Sequence, residues 1–400
     1  MGFNKKTLDN IIEGAKLSWE RIGDLERIPE LLDARIPFRL YKTISQENAL
    51  EKLIGNAQIL IGFGAYFGDE AKGKVGNALC EVVDAVFRLT GGANTGRTVY
   101  DAEGNKIVLH VTPTSVISGK ECYIGPEVLV DPIALMEDEI ATLQKHGHDY
   151  DNLHIGNVHI VSPYHRIMDF LGSQGNISTG VGMRPKHKSI SGRTSVRLND
   201  IFGNQDELKD KLKRDLAENY RGFFCHRELS IDERSILRDE GDTNIYITPK
   251  DVVKLLEEKR KTDTRLVPDD VFEFAKRHSE EGEDAAIDYL LDLYDSKVRL
   301  NKENFPQRVN VVAKLNDYLE DGKRVLIEPT QSHFLSRIVE IFYGRGTSPD
   351  TTTAGTLAAG VISPEKYQVK IFPIFKSPSS SRVGRGDIPG SFTLDRKSVV

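Results

Sequence analysis

Residues 58–74 read QILIGFGAYFGDEAKGK, an apolar strand that runs into a glycine-rich turn carrying an acid pair and two lysines. Strand–turn–helix junctions of this kind belong to α/β architectures. Gly62, Gly64 and Gly68 let the backbone bend sharply and approach a ligand closely. A helix expected from about Ala71 aims its free N–H groups and the positive end of its dipole at the turn. With Lys72 and Lys74 adding charge, the junction suits a phosphate group. Asp69 and Glu70 are the odd ingredients, because carboxylates repel phosphate unless a metal sits between them or one takes a proton. The pair therefore points to Mg2+ and acid–base work at one turn. The spacing is not GxxxxGK followed by Ser or Thr, since Val75 follows the last lysine. Taken alone, the turn fits equally a strand–helix junction that binds nothing.

With 400 residues the chain can bury a large core, and its formal net charge of -6 gives no whole-chain basic footprint for nucleic acid. No apolar run reaches the length of a membrane span, and the start MGFNKKTLDN lacks a signal-peptide core. Cys80, Cys122 and Cys225 form no CxxC pair and read as reduced structural thiols. These features describe a cytoplasmic enzyme with no membrane or nucleic-acid partner. Four parts follow one another along the chain. Residues 1–57 read as a helical N-terminal extension, with Leu8, Ile11, Ile12, Ala15 and Leu17 near an amphipathic spacing. Residues 58–200 alternate strands and helices. Residues 201–325 read as a charged helical insertion whose charges lie on solvated faces, and from residue 325 the chain returns to strand and loop.

After the first turn come GGANTGRTVY at 91–100 and IVLHVTPTSVISGKECYIGPEVLVDPIAL at 107–135, then HIVSPYHRIMDF at 159–170 and STGVGMRP at 178–185. EPTQ at 328–331, TTAG at 352–355 and SRVGRGDIP at 381–389 complete the order. Together with GDEAKGK, these strings resemble the adenylosuccinate synthetase family over residues 58 to about 390. That resemblance implies an α/β domain over 58–392: a mostly parallel twisted sheet flanked by helices, a P-loop-NTPase-like nucleotide-binding architecture with the helical insertion at 201–325. It also implies a two-step reaction. The 6-oxygen of IMP takes the γ-phosphoryl group of GTP, and L-aspartate then displaces phosphate to give adenylosuccinate, with Mg2+ as cofactor and a homodimer as the assembly.

Carried onto this sequence, the resemblance makes Asp69 the general base and a Mg2+ ligand, and places Lys72 on the γ-phosphate. Gly68, Asp69, Glu70, Ala71, Lys72, Gly73 and Lys74 would wrap the GTP phosphates. The carbonyl of Gly96 would be the second metal ligand. Asn94, Thr95, Gly96, Arg97, Thr179, Gln331 and Thr351 would meet IMP, with Asn94 and Thr179 on its 5′-phosphate and Gln331 on the base. Arg193 would reach across the dimer interface to the partner's nucleotide. Read singly, Asn94 and Gly96 could shape a turn, Thr179 could cap a helix and Gln331 could be a surface residue. His110 and His165 read as structural histidines that bond loops.

Three departures stand out. Arg97 occupies the place of a family histidine; it can supply charge and paired hydrogen bonds to a phosphoryl group but no proton at neutral pH. The string VGMRPKHK at 181–188 is basic where the family is glycine-rich and acidic; it reads either as a phosphate-side feature or as an exposed basic loop. After Phe392 the chain leaves the family pattern, so the elements that bind L-aspartate and read guanine are not found, and 393–400 reads as a non-native tail of a shortened chain. Two other functions therefore stay open. One is a 2-aminoadenylosuccinate synthetase acting on dGMP, against which the retained Asp69 argues. The other is a non-catalytic nucleotide-binding homologue.

Overall fold

The computed structural model describes residues 46–68, 70, 72–171, 179–220, 227–228, 244–245, 247–262, 264, 267–339 and 346–375. The expected amphipathic helix near residues 8–17, Cys225 and the tail after residue 392 lie outside them. Contacts divide the chain into two units, residues 1–55 with Ala102–Gly104, and the remainder. Of the first, the described helix is α1 (Gln46–Ile54), closed by Gly55 at φ +59°, whose N–H returns to the Glu51 carbonyl at 2.8 Å. That left-handed stop is the usual role of glycine after a helix.

The second unit is built on a parallel sheet in the order β10-β6-β5-β2-β11-β1-β12, with β7 beside β5. Its strands are β1 (Ile59–Gly64), β2 (Ala85–Gly92), β5 (Glu121–Val130), β6 (Leu153–Ile155), β7 (His159–Ile160), β10 (Gln307–Arg308), β11 (Val325–Ile327) and β12 (Val369–Ile374). Every pairing among them is parallel. β3 (Arg97–Tyr100) and β4 (Lys106–Leu109) form a separate antiparallel hairpin, as do β8 (Arg227–Glu228) and β9 (Asn244–Ile245). The unbroken apolar runs of β1 and β11 follow from burial on both faces, which parallel sheets require. On one face Ile59, Ile61, Phe87, Leu89, Val325 and Ile327 pack with Leu315 and Leu319 of helix 311–320. Phe87 stacks flat on Tyr123, ring centroids 4.6 Å apart.

The helix that the sequence suggests over AKGKVGNALCEVVDAV, residues 71–86, is shorter in the structure. α2 (Lys72–Leu79) gives way to a 3-10 turn at Cys80–Val82, and Ala85 and Val86 already belong to β2. Val83 is already extended, and Val86 and Phe87, which favour extended backbone, lie in the sheet. Asp131 caps the helix that follows β5 by accepting from the N–H groups of Ile133 and Ala134, with Pro132 in the first turn.

A helical layer follows: α3 (Pro163–Leu171), α4 (Met183–Ser191), α5 (Gln205–Tyr220), α6 (Pro249–Thr262), α7 (Asp269–Glu280) and α8 (Glu283–Tyr294). The chain then returns to the sheet through β10 and α9 (Val311–Glu320), and after β11 through α10 (Thr353–Ala359). The basic string at 181–188 is not an exposed loop. It is the start of α4, and Lys186 is fully buried because its ammonium faces Asp215 at 3.1 Å. Cys80 and Cys122 are buried free thiols.

Candidate functional site

Parallel sheets present their loops at the carboxyl ends of the strands, and three of those ends lie side by side here: β1, β11 and β2. β1 ends at Gly64, which bridges to Ser332 in the chain that leaves β11. A side chain at Gly64 would collide with Ser332 Oγ, Glu70 Oε2 and Lys72 Nζ. Glycine is therefore required for those three groups to meet. Glu70 is buried, accepting from the Gly68 N–H at 2.7 Å, from Ser332 Oγ at 2.6 Å and from Lys72 Nζ at 2.5 Å. Lys72 also donates to Ser332 Oγ at 3.0 Å. Gly68 stands at φ +96°, a conformation that glycine takes without strain. The helix begins at Lys72, and Lys74 is exposed. Asp69 and Ala71 lie outside the described residues.

At the end of β2 the chain turns through residues 93–96 into the β3–β4 hairpin. The Oδ1 of Asn94 and the Oγ1 of Thr95 are buried and have no partner among the described residues, and Gly96 is exposed. Arg97 begins β3 and is buried. One of its terminal nitrogens pairs with Glu328 Oε2, and the other donates to the Pro329 carbonyl at 2.9 Å. Burial, and then the neighbouring Arg88, push the Arg97 pKa well below its ordinary value, and the Glu328 carboxylate lies against the charge that remains. Arg88 is itself fully buried, and that burial lowers it to about 10; its Nη2 donates to the Gly92 carbonyl at 3.0 Å. Gly73 and Gly76 bring α2 against the Arg97 and Glu328 side chains, so the phosphate-type loop and the EPTQ turn share one wall.

The EPTQ turn is anchored from several directions. Glu328 N–H donates to the Phe87 carbonyl at 2.9 Å, Thr330 Oγ1 to the Thr90 carbonyl at 3.1 Å, and Thr351 Oγ1 to the Ser332 carbonyl at 2.8 Å. Between these ties Gln331 takes φ +65°, rare for a residue with a side chain, and its buried Oε1 has no described partner. Gln331 is thus a buried residue of the cluster, not a surface glutamine.

Of the sequence-selected groups, Glu70 and Lys72 meet directly, Gln331 adjoins the Ser332 that bonds both, and the Arg97 side chain lies against Gly73, next to Lys72. Thr351 joins them with its hydroxyl committed to the Ser332 backbone. Thr179 and Arg193 are exposed on the segment flanking α4, with Arg193 at φ +60° just past its end, and neither contacts the cluster in any described bond. His165 accepts from the Ser162 N–H at 3.0 Å, and burial lowers its pKa to about 4, the structural role expected of it. His110 packs against Gly96 with a buried Nδ1 that has no described partner.

Two participants escaped sequence reasoning. Glu328 and Ser332 flank Gln331, yet only their neighbours carried a recognisable role. The available signal was the buried acid opposite an arginine, which becomes visible only when β3 and β11 are placed together. Among the described residues no three His, Cys, Asp or Glu side chains gather as a metal cluster, and no helix is long and apolar enough to cross a membrane.

The sequence model of a family described as adenylosuccinate synthetase matches residues 61–269. The adenylosuccinate synthetase of Leishmania braziliensis is 36% identical over 384 residues, which are 95% of this chain and 50% of that protein. That of Trypanosoma brucei gambiense is 37% identical over 369 residues, 91% of this chain and 57% of its own. The chain spans about half the length of the curated relatives it matches. A fully ligated adenylosuccinate synthetase from Plasmodium falciparum superposes with a TM-score of 0.57 at 24% identity, covering 84% of this chain and 64% of that one, a likeness of fold.

Proposed function

From the premise that this chain belongs to the adenylosuccinate synthetase family, we propose that the carboxyl ends of β1, β11 and β2 form a nucleotide site for GTP-dependent ligation of L-aspartate to IMP. The observation that carries this reading is the convergence of the end of β1 and Lys72, the 94–97 turn and the 328–332 turn, with the Asn94, Thr95 and Gln331 oxygens buried and without a partner among the described residues. Buried polar atoms of this kind cost stability unless something satisfies them; the amide oxygens need donors, which the ribose hydroxyls, base N–H groups and bound water of a nucleotide can supply.

In this reading Lys72 exchanges Glu70 for the γ-phosphate, while the loop N–H groups from Gly68 to Lys74 turn toward the β- and γ-phosphates. Asp69 takes the N1 proton of IMP, which leaves the 6-oxygen electron-rich enough to attack phosphorus. A new O–P bond forms as the bond to GDP breaks. The amine of L-aspartate then attacks C6, and phosphate departs with the C–O electron pair. Gln331 holds the base, and Asn94 and Thr179 hold the 5′-phosphate. The residues fit Mg2+ by donor chemistry: the Gly96 carbonyl lies on an exposed turn beside two orphaned oxygens, a hard-oxygen set, with Asp69 as the carboxylate. Such an ion supplies charge neutralisation on the transferring phosphoryl group. In this reading the assembly is a homodimer of the cytoplasm in which Arg193, exposed just past α4, reaches the partner's nucleotide.

Incubation with IMP, GTP, Mg2+ and L-aspartate, followed by GDP release and the absorbance of the succinylated purine, tests the reading. Product that requires all four components and disappears in Asp69→Ala supports it. Nucleotide binding without turnover supports the non-catalytic homologue, and productive use of dGMP in place of IMP supports the guanine-nucleotide alternative.

A further inference from the structure

Arg97 is the residue whose chemistry the proposed reaction leaves unassigned. Both of its terminal nitrogens are occupied, one by Glu328 Oε2 and one by the Pro329 carbonyl at 2.9 Å. Those two acceptors are the first residues of the turn that ends at Gln331, and that turn stores backbone strain: Gln331 stands at φ +65°. Such a conformation persists only where neighbours over-determine it. The Thr330 tie to Thr90 and the Gly64–Ser332 bridge fix the turn on the β2 and β1 sides, and Arg97 fixes its entry. A planar guanidinium offers a carboxylate and a carbonyl one terminal nitrogen each in a fixed fork, which a single-nitrogen ammonium does not reproduce.

We propose that Arg97 is a positioning residue: it clamps the Glu328–Pro329 entry of the turn and thereby presents the Gln331 amide to the nucleotide, taking no part at the transferring phosphoryl group. The consequence is a separation of roles within four residues of sequence. Asn94 and Thr95 keep buried side-chain oxygens with no partner among the described residues, while both terminal nitrogens of Arg97 are committed to the protein. This inference rests on the reading that Gln331 contacts the nucleotide base.

The test uses Arg97→Lys, Glu328→Gln and Gln331→Ala, alone and with Arg97→Lys added to Gln331→Ala. Arg97→Lys keeps the charge beside Glu328 and loses the second hydrogen bond. If Arg97 positions Gln331, Arg97→Lys and Glu328→Gln each raise the IMP KM and Kd by about 10- to 100-fold and leave kcat within about threefold. In the Gln331→Ala background, Arg97→Lys then adds less than about twofold, because the group it positions is gone. A kcat loss of about 30-fold or more at unchanged KM places Arg97 at the reacting group and overturns the proposal. Multiplying effects of Arg97→Lys and Gln331→Ala overturn it as well. Should the single variants fail to fold, the charge-free pair Arg97→Met with Glu328→Leu removes both partners together and is read in the same way.

Wild-type protein that binds no IMP contradicts the nucleotide reading itself, before any variant is made. Independently of turnover, the Gln331 side-chain amide resonance reports the clamp. It shifts and broadens in Arg97→Lys if the turn is held by Arg97, and an unchanged resonance refutes the clamp.

Discussion

Replacing Lys186 with methionine removes one end of a fully buried ion pair. Asp215 Oδ2 accepts from Lys186 Nζ at 3.1 Å and from Tyr164 OH at 2.9 Å, and Oδ1 accepts from Asn219 Nδ2 at 2.9 Å. Burial alone would raise the Asp215 pKa, but His165, then Lys186 and Ser189, hold it far below the carboxylate range. His165 is itself lowered to about 4 and so neutral at pH 7, which leaves Lys186 as the opposing charge there. Breaking a buried pair from one side costs ~3–5 kcal/mol. Lys186→Met leaves a carboxylate that keeps the neutral donors Tyr164, Asn219 and Thr194, so its cost belongs at the lower end, ~3 kcal/mol. Asp215→Leu strands an ammonium whose ion pair among the described residues is this one, so its cost lies nearer ~5 kcal/mol. The double variant removes both charges and recovers most of either loss. Urea unfolding followed by far-UV circular dichroism measures all three. Equal midpoints for the two single variants, or a double variant no more stable than the weaker single one, would refute the reasoning.

Gly64→Ala forces a methyl group into Ser332, Glu70 and Lys72; nucleotide binding should weaken by more than about tenfold, read by titration calorimetry. His165 offers a pH signature. Its folded pKa of about 4 lies below the ordinary ~6.5, so the unfolded chain binds the extra proton first and stability falls as pH drops from about 6.5 to about 4. The loss from this group reaches ~3 kcal/mol, and His165→Gln should flatten that part of a stability-versus-pH curve. Gly91→Ala, at φ +92° and against Thr330, should destabilise the protein and lower the urea midpoint, since both the backbone and the space oppose a side chain.

Much of the fold was legible because parallel strands buried on both faces announce themselves as apolar runs, and IGFG at 61–64 followed by AKGK at 71–74 marks a strand–turn–helix unit. The pattern could not give the order in which β11 slips between β1 and β2, since pairing partners lie more than two hundred residues apart. The site follows the same division. Lys72 and Gln331 were found as members of ordered motifs, whereas the bonds that tie them together run through Ser332, and those that commit Arg97 run to Glu328 and Pro329. Charge composition misled at Lys186: a lysine among Arg184, His187 and Lys188 reads as part of a solvated surface, and only the opposing Asp215 on α5 makes burial affordable. The partners that hold Arg97, Glu328 and Pro329, lie more than two hundred residues away in sequence, so its motif gave no sign of them.

Titration calorimetry with Mg–GTP and with IMP, on wild type and on Lys72→Met, tests the assignment of the three converging loops most directly. Lys72 meets Glu70 and Ser332 at the end of β1, whereas Gln331 stands at the end of β11. The account predicts that wild type binds both nucleotides, and that Lys72→Met weakens Mg–GTP by about tenfold or more while IMP binding changes by less than about threefold. Wild type that binds neither nucleotide, or a Lys72→Met variant that binds Mg–GTP as tightly as wild type does, would contradict it.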